Sequence, residues 1–157
     1  GMNYGASSEK VINWDDIETY SYDEATIDRV VGTQEAGNYL LFSEIPPGKP
    51  LLGGLAMPLY AGRSDEGLAK EIKAKKYADH LPQDQRKQFK YFKFCPATNA
   101  VTAYHRECSD FHNLNPRFND EHPCKPKGNS QASCPNSGCK HHDESSEAAA
   151  KMYAGKM

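Results

Sequence analysis

The chain has 157 residues, a length that suits one domain of ordinary size. Hydrophobic residues make up 38% and mean hydropathy is −0.80, which limits the core to a compact domain of about 90 residues with less regular ends. A formal net charge of −2 excludes polyanion binding by bulk electrostatics, and no apolar run approaches the roughly 20 residues of a membrane span.

Residues 2–13 read as an arm. Tyr20, Ile27 and Val31 fall at helical intervals, predicting a helix from about Tyr22 to Val31 that stops at Gly32. Asn38 to Phe42 is short, aromatic and aliphatic, as in a buried strand. Pro46-Pro47-Gly48-Lys49-Pro50 forces a loop, and Met57 to Ala61 reads as a second strand pairing with the first. Ser64-Asp65-Glu66 has the side chains of a helix N-terminus, and Leu68 and Ile72 mark a helix ending near Tyr77. Phe89 to Cys95 mixes aromatics with lysine, predicting a third strand with a basic outer face. Thr98 is positioned to cap a last helix carrying Val101, Tyr104, Cys108 and Phe111, which ends before Pro116. The order α, β, β, α, β, α gives an α/β (α+β) domain with a small, mostly antiparallel three-stranded sheet flanked by helices. Its expected bounds are 36–120. An acidic arm and helix over 1–35 precede it, and a Cys/His-containing extension over 121–157 ends in a helix within 144–157.

Charge is unevenly placed. Residues 1–37 hold eight acids against Lys10 and Arg29, while residues 63–93 hold nine bases against five acids. Lys73, Lys75, Lys76 and Lys90, with Arg117 beyond them, are the expected contacts for an anionic partner. A solvated helix face is the plainer account of the same charges. The N-terminus lacks a signal-peptide pattern, and five cysteines is an odd number, so a cytoplasmic chain with reduced thiols is expected.

Three short stretches carry chemistry when taken together. Gly37-Asn38-Tyr39 opens the first strand, and Tyr60-Ala61-Gly62-Arg63-Ser64 begins at the end of the second. Glu107 lies on the last helix, twelve residues before Asn119, with Pro116-Arg117-Phe118 in between. In this order and spacing the chain resembles the GIY-YIG nuclease family over about residues 36–120. The resemblance implies a DNA endonuclease with one weakly held Mg²⁺ or Mn²⁺ at Glu107. It also implies that Tyr39 or Tyr60 positions or deprotonates the attacking water, that Arg63 lowers the phenol pKa, and that Asn119 ties the helix end to the site. The family's helix arginine falls on Lys70 by count, which keeps charge but not a bidentate fork. It falls on Glu71 when aligned by the apolar pattern, which would reverse the charge. The alternative function is therefore a catalytically impaired module that binds nucleic acid or a protein. DNA is the expected partner, with RNA left open, no membrane, and a targeting protein or oligomer as a further partner.

The extension contains His122, Cys124, Cys134, Cys139, His141 and His142 within 21 positions. Structural Zn²⁺ held by Cys124, Cys134 and Cys139 with His122 or His141 would order a segment without aliphatic residues. A flexible tail with reduced thiols, or a Cys134–Cys139 disulfide, stays open beside it. Cys95 and Cys108 read as core, and His105 and His112 as surface residues.

Overall fold

This computed structural model describes residues 10–46, 57–129 and 132–142. The proline loop beyond Pro46, most of the expected N-terminal arm and the expected helix within 144–157 lie outside them. The elements are β1 (Tyr20–Ser21), α1 (Glu24–Val31), β2 (Gly37–Phe42), β3 (Tyr60–Ser64), α2 (Leu68–Ala74), α3 (Gln83–Arg86), β4 (Tyr91–Pro96) and α4 (Ala100–Leu114). Single 3-10 turns cover Trp14–Asp16, Lys75–Tyr77 and Lys140–His142. No helix among the described residues is long and apolar enough to cross a membrane.

The fold is α+β, with one antiparallel sheet in the order β1-β4-β2-β3. The sheet has four strands, not three. The extra strand pairs Tyr20 with Phe92 and Ser21 with Tyr91, and Tyr22 N–H donates to Lys90 O just beyond it. Two residues are too few to leave an alternation pattern. The next residues turn at once into α1, where the Asp23 side chain accepts from Thr26 N–H.

Alternation along β2 sorts side chains to two faces. Tyr39 and Leu41 join Phe92 of β4 in one core with Ile27 and Val31 of α1, Leu68 and Ile72 of α2, and Phe118. The N-terminal helix thus shares its core with the sheet. On the opposite face Leu40, Phe42 and Ala61 pack with Trp14, and the Asn38 side chain donates to Ala103 O of α4 at 2.8 Å. The expected basic outer face of the third strand is not there: Lys93 is buried and donates to Trp14 O at 2.7 Å. The segment around Trp14 covers that face, and strand alternation gives no sign of what lies on top.

Smaller shifts have local causes. The second strand begins at Tyr60 rather than Met57. Asn99, not Thr98, caps α4 by accepting from Thr102 N–H. Asn115 ends α4 in the left-handed region at φ 47°. Cys108 is buried as expected, whereas Cys95 is half-buried.

Candidate active site and a His/Cys cluster

The edge of β3 bounds a cleft of about 1020 Å³. Tyr39 and Tyr60 reach it from the α1/α2 face of the sheet, their rings stacked with centroids 6.3 Å apart. Arg63 and Glu107 reach it from the α4 face. Two glycines make this convergence possible. A Cβ at Gly62 would collide with the Tyr39 ring, so its absence lets that ring reach the edge. A Cβ at Gly37 would sit 2.7 Å from Leu68 Cδ2 and 2.9 Å from Cys95 O, so glycine there lets α2 close on the sheet.

Past α4 the chain runs back along this edge. Phe118 N–H donates to Leu59 O at 2.7 Å, and the Asn119 side chain both accepts from Ala61 N–H and donates to Ala61 O, each at 2.8 Å. Asn119 therefore bonds to β3 as a neighbouring strand would, and it satisfies an edge that would otherwise be open. Ser64 Oγ accepts from Gly67 N–H at 2.8 Å and fixes the entry to α2.

Arg63 is clamped between two carboxylates. Its Nη1 lies 2.6 Å from Glu107 Oε1 and its Nε 2.8 Å from Asp65 Oδ1. Only 13% of the Glu107 side chain is exposed. Burial pushes its carboxyl up to about 7, and the adjacent Arg63 pulls it only part of the way back. Burial also raises Tyr39 well above the ordinary phenol value, and Tyr60 and carboxylates add to the shift. The expected lowering of the Tyr39 or Tyr60 pKa by Arg63 does not occur, since both phenols are raised. The cation beside Tyr60 is Lys75, whose Nζ is 5.3 Å from the Tyr60 ring centroid, whereas Arg63 lies over the Tyr104 ring. Lys75 opposes the upward shift that burial imposes on Tyr60 without reversing it. Lys75 also pairs with Glu71 at 3.1 Å.

Tyr39, Tyr60, Arg63, Lys70, Lys75, Glu107 and Asn119 thus all line one cleft, and so does Glu71. Both residues that compete for the helix-arginine position face the same space. The lining carries Asp65, Glu66, Glu71, Glu107, Asp120 and Glu121 against Arg63, Lys70, Lys75 and Lys127, so acids outnumber bases. The other expected anion contacts do not line it. Lys73 pairs with Asp28 at 2.7 Å, Lys76 lies against the Tyr77 ring, Arg117 lies against the Phe118 ring, and Lys90 is exposed just before β4.

No protein-family model, curated protein or solved structure matches this chain. Its chemistry is therefore read from its own residues.

A second constellation lies at the far end of α4. The side-chain donor atoms of His112, His122, Cys134 and Cys139 all lie within 4.8 Å of one another, and the group can hold a metal ion. His112 is the member of this group that the sequence pattern placed on the surface. Of the residues expected there, His122, Cys134 and Cys139 belong to the group and two do not. Cys124 is exposed, and the His141 ring stacks on that of His122 with centroids 3.9 Å apart. All five cysteines are free thiols, so no Cys134–Cys139 disulfide is present.

Proposed function

We propose that the chain is a GIY-YIG-type endonuclease that hydrolyses DNA phosphodiesters with a divalent cation at the β3-edge cleft. The observation that carries this reading is the meeting of Tyr39, Tyr60, Arg63, Glu107 and Asn119 around one cleft, from segments far apart in sequence. The ordered resemblance of the same residues to that family supports it independently of the geometry.

Glu107 is the carboxylate that would hold Mg²⁺ or Mn²⁺, and a single protein ligand suits an ion that keeps several waters and takes further oxygens from a substrate phosphate. Bound there, such an ion would polarise the phosphodiester. Arg63 holds the Glu107 carboxylate in place and lends positive charge to the phosphate. Lys75 and Tyr60 form a cation–phenol pair able to orient a water. The Tyr39 hydroxyl is buried without a hydrogen-bond partner among the described residues, so it has a donor to spare for a bound oxygen. The acidic surplus of the cleft makes binding of a phosphate depend on the cation.

That same surplus, with Glu107 already paired to Arg63, favours the second reading: a module of this fold type that binds nucleic acid or a protein without cutting. Plasmid nicking with Mg²⁺ or Mn²⁺ separates the two. Under the first reading wild type cuts only with metal, and Glu107→Gln lowers the rate by about 10²- to 10³-fold. DNA binding without cutting, across supercoiled, linear and branched substrates, would transfer the conclusion to the second. Neither cutting nor binding would overturn the nuclease reading and leave a protein partner as the ligand to seek.

A further inference from the structure

We propose that His112, His122, Cys134 and Cys139 form a structural Zn²⁺ site that fastens the segment after Asn119 to α4 and builds one wall of the β3-edge cleft. The proposal rests on no part of the nuclease reading.

The donor set is two imidazole nitrogens and two thiol sulfurs, a combination that selects Zn²⁺ among common divalent ions. A tetrahedral zinc with ligands at about 2.0 to 2.3 Å separates them by about 3.3 to 3.8 Å. The observed limit of 4.8 Å exceeds that spacing by about 1 to 1.5 Å. Four protein ligands fill a tetrahedron and leave no open position, so the ion would be structural rather than catalytic.

The surroundings suit metal ligands. His112 Nε2 is buried with no hydrogen-bond partner among the described residues, a costly arrangement that coordination would relieve. His122 Nδ1 lies 3.0 Å from Pro123 O. A proton on Nδ1, donated to that carbonyl, leaves a lone pair on Nε2 for a metal. Backbone N–H groups reach both sulfurs: His141 N–H donates to Cys139 Sγ at 3.4 Å, and the Asn136 amide donates to Cys134. His142 Nδ1 lies 2.7 Å from Cys134 O, so the short turn at Lys140–His142 is tied to the segment that carries Cys134.

Hydrophobic burial alone gives this segment little support. From Asp120 to His142 the only aliphatic side chain other than proline is Ala132. Cys134 is nevertheless fully buried against Tyr104 and Cys108 of α4. One ligand, His112, comes from the helix that carries Glu107. Another, His122, lines the cleft together with Glu121 and Cys124. An ion bridging them couples the wall to the helix.

The purified 157-residue chain is expected to carry about one Zn²⁺ per chain. Co²⁺ put in its place should show the visible bands of a tetrahedral ion and charge transfer from two thiolates. His112→Cys should keep the ion and raise that charge transfer by about half, because a third sulfur joins. His112→Ala should weaken zinc binding at least about 100-fold. Cys124→Ser and His141→Ala should leave stoichiometry and spectrum as in wild type. Chelation should open the segment between Asn119 and His142 to protease while sheet amides stay protected from exchange. A reduced wild type that binds neither zinc nor cobalt would overturn the site. Loss of binding in Cys124→Ser or His141→Ala with retention in His112→Ala would overturn the ligand set. Unchanged proteolysis after chelation would overturn the role as a clamp. None of these readings uses DNA, so a failed nicking assay leaves them intact.

Discussion

Under α1 and α2 the sheet buries Tyr39, Leu41 and Phe92 among Ile27, Val31, Leu68 and Ile72, nearly all of them carbon surface. Under α4 and the Trp14 segment it buries Asn38 and Lys93 close to Arg106 and Asp110. There each charge is held by a specific bond: Lys93 to Trp14 O, Arg106 Nη1 to Pro96 O at 2.8 Å, and Asp110 Oδ1 to the Trp14 indole at 2.8 Å. The comparison separates two jobs. The first face supplies stability in proportion to area removed from water. The second fixes α4, and with it Glu107 and His112, through directional contacts whose net contribution to stability is small.

The sharpest way to break this contrast is to truncate one residue on each face. Phe92 is fully buried and meets the Tyr20, Tyr22 and Phe94 rings. Phe92→Ala should cost about 3 to 5 kcal/mol in chemical denaturation. A loss under about 1 kcal/mol would mean that this face is not the main source of stability.

The next effect is smaller and depends on pH. Asp110 sits at about 7, raised by burial that its bond from Trp14 only partly offsets, and its Oδ2 is buried without a partner among the described residues. The folded carboxyl keeps its proton up to about that value, whereas the unfolded one releases it near 3.8. The folded chain therefore binds the extra proton in this window, and stability falls as pH rises through it. Asp110→Asn mimics the protonated form and keeps an acceptor for Trp14. It should reduce the fall in stability between about pH 4 and 7 by about 1 to 3 kcal/mol. A pH profile parallel to wild type would show that the carboxyl is solvated in solution.

The same contrast explains what could be read from the sequence. The apolar face left a clear trace: Ile27 and Val31 at helical spacing, the run Asn38 to Phe42, and Leu68 with Ile72 all proved to be core or core-facing. The cleft residues were singled out only together, because their order and spacing resemble those of the GIY-YIG family, and Asn119 was singled out without knowing that it would bond to Ala61. Lys93 misled because a lysine in a strand ordinarily marks an outer face, and only the packing of Trp14, 79 residues away, reverses that. β1 was hidden because two residues carry no periodicity. His112 was missed because the Cys/His-rich composition begins at His122, while His112 belongs to a helix whose other face is core. A search for histidines at a helix end close to the tail would have found it.

The last test asks whether a buried charge on the α4 face stabilises the fold at all. Lys93 Nζ has one carbonyl partner, and burial lowers its pKa, with Asp15 opposing. A depressed lysine pKa means that the folded state releases this proton more readily than the unfolded one. Charging the amine therefore works against folding, and the penalty grows as pH falls through the folded pKa. Lys93→Met keeps the length and the apolar stem but removes both the charge and the donor to Trp14 O. The relieved desolvation and the orphaned carbonyl have opposite signs, each of order 1 kcal/mol, so the net change at neutral pH should stay within about 1 kcal/mol. Equilibrium unfolding measures it directly. A loss of more than about 3 kcal/mol would show that the lysine holds the Trp14 segment in place, and the two faces of the sheet would then share the work of stability.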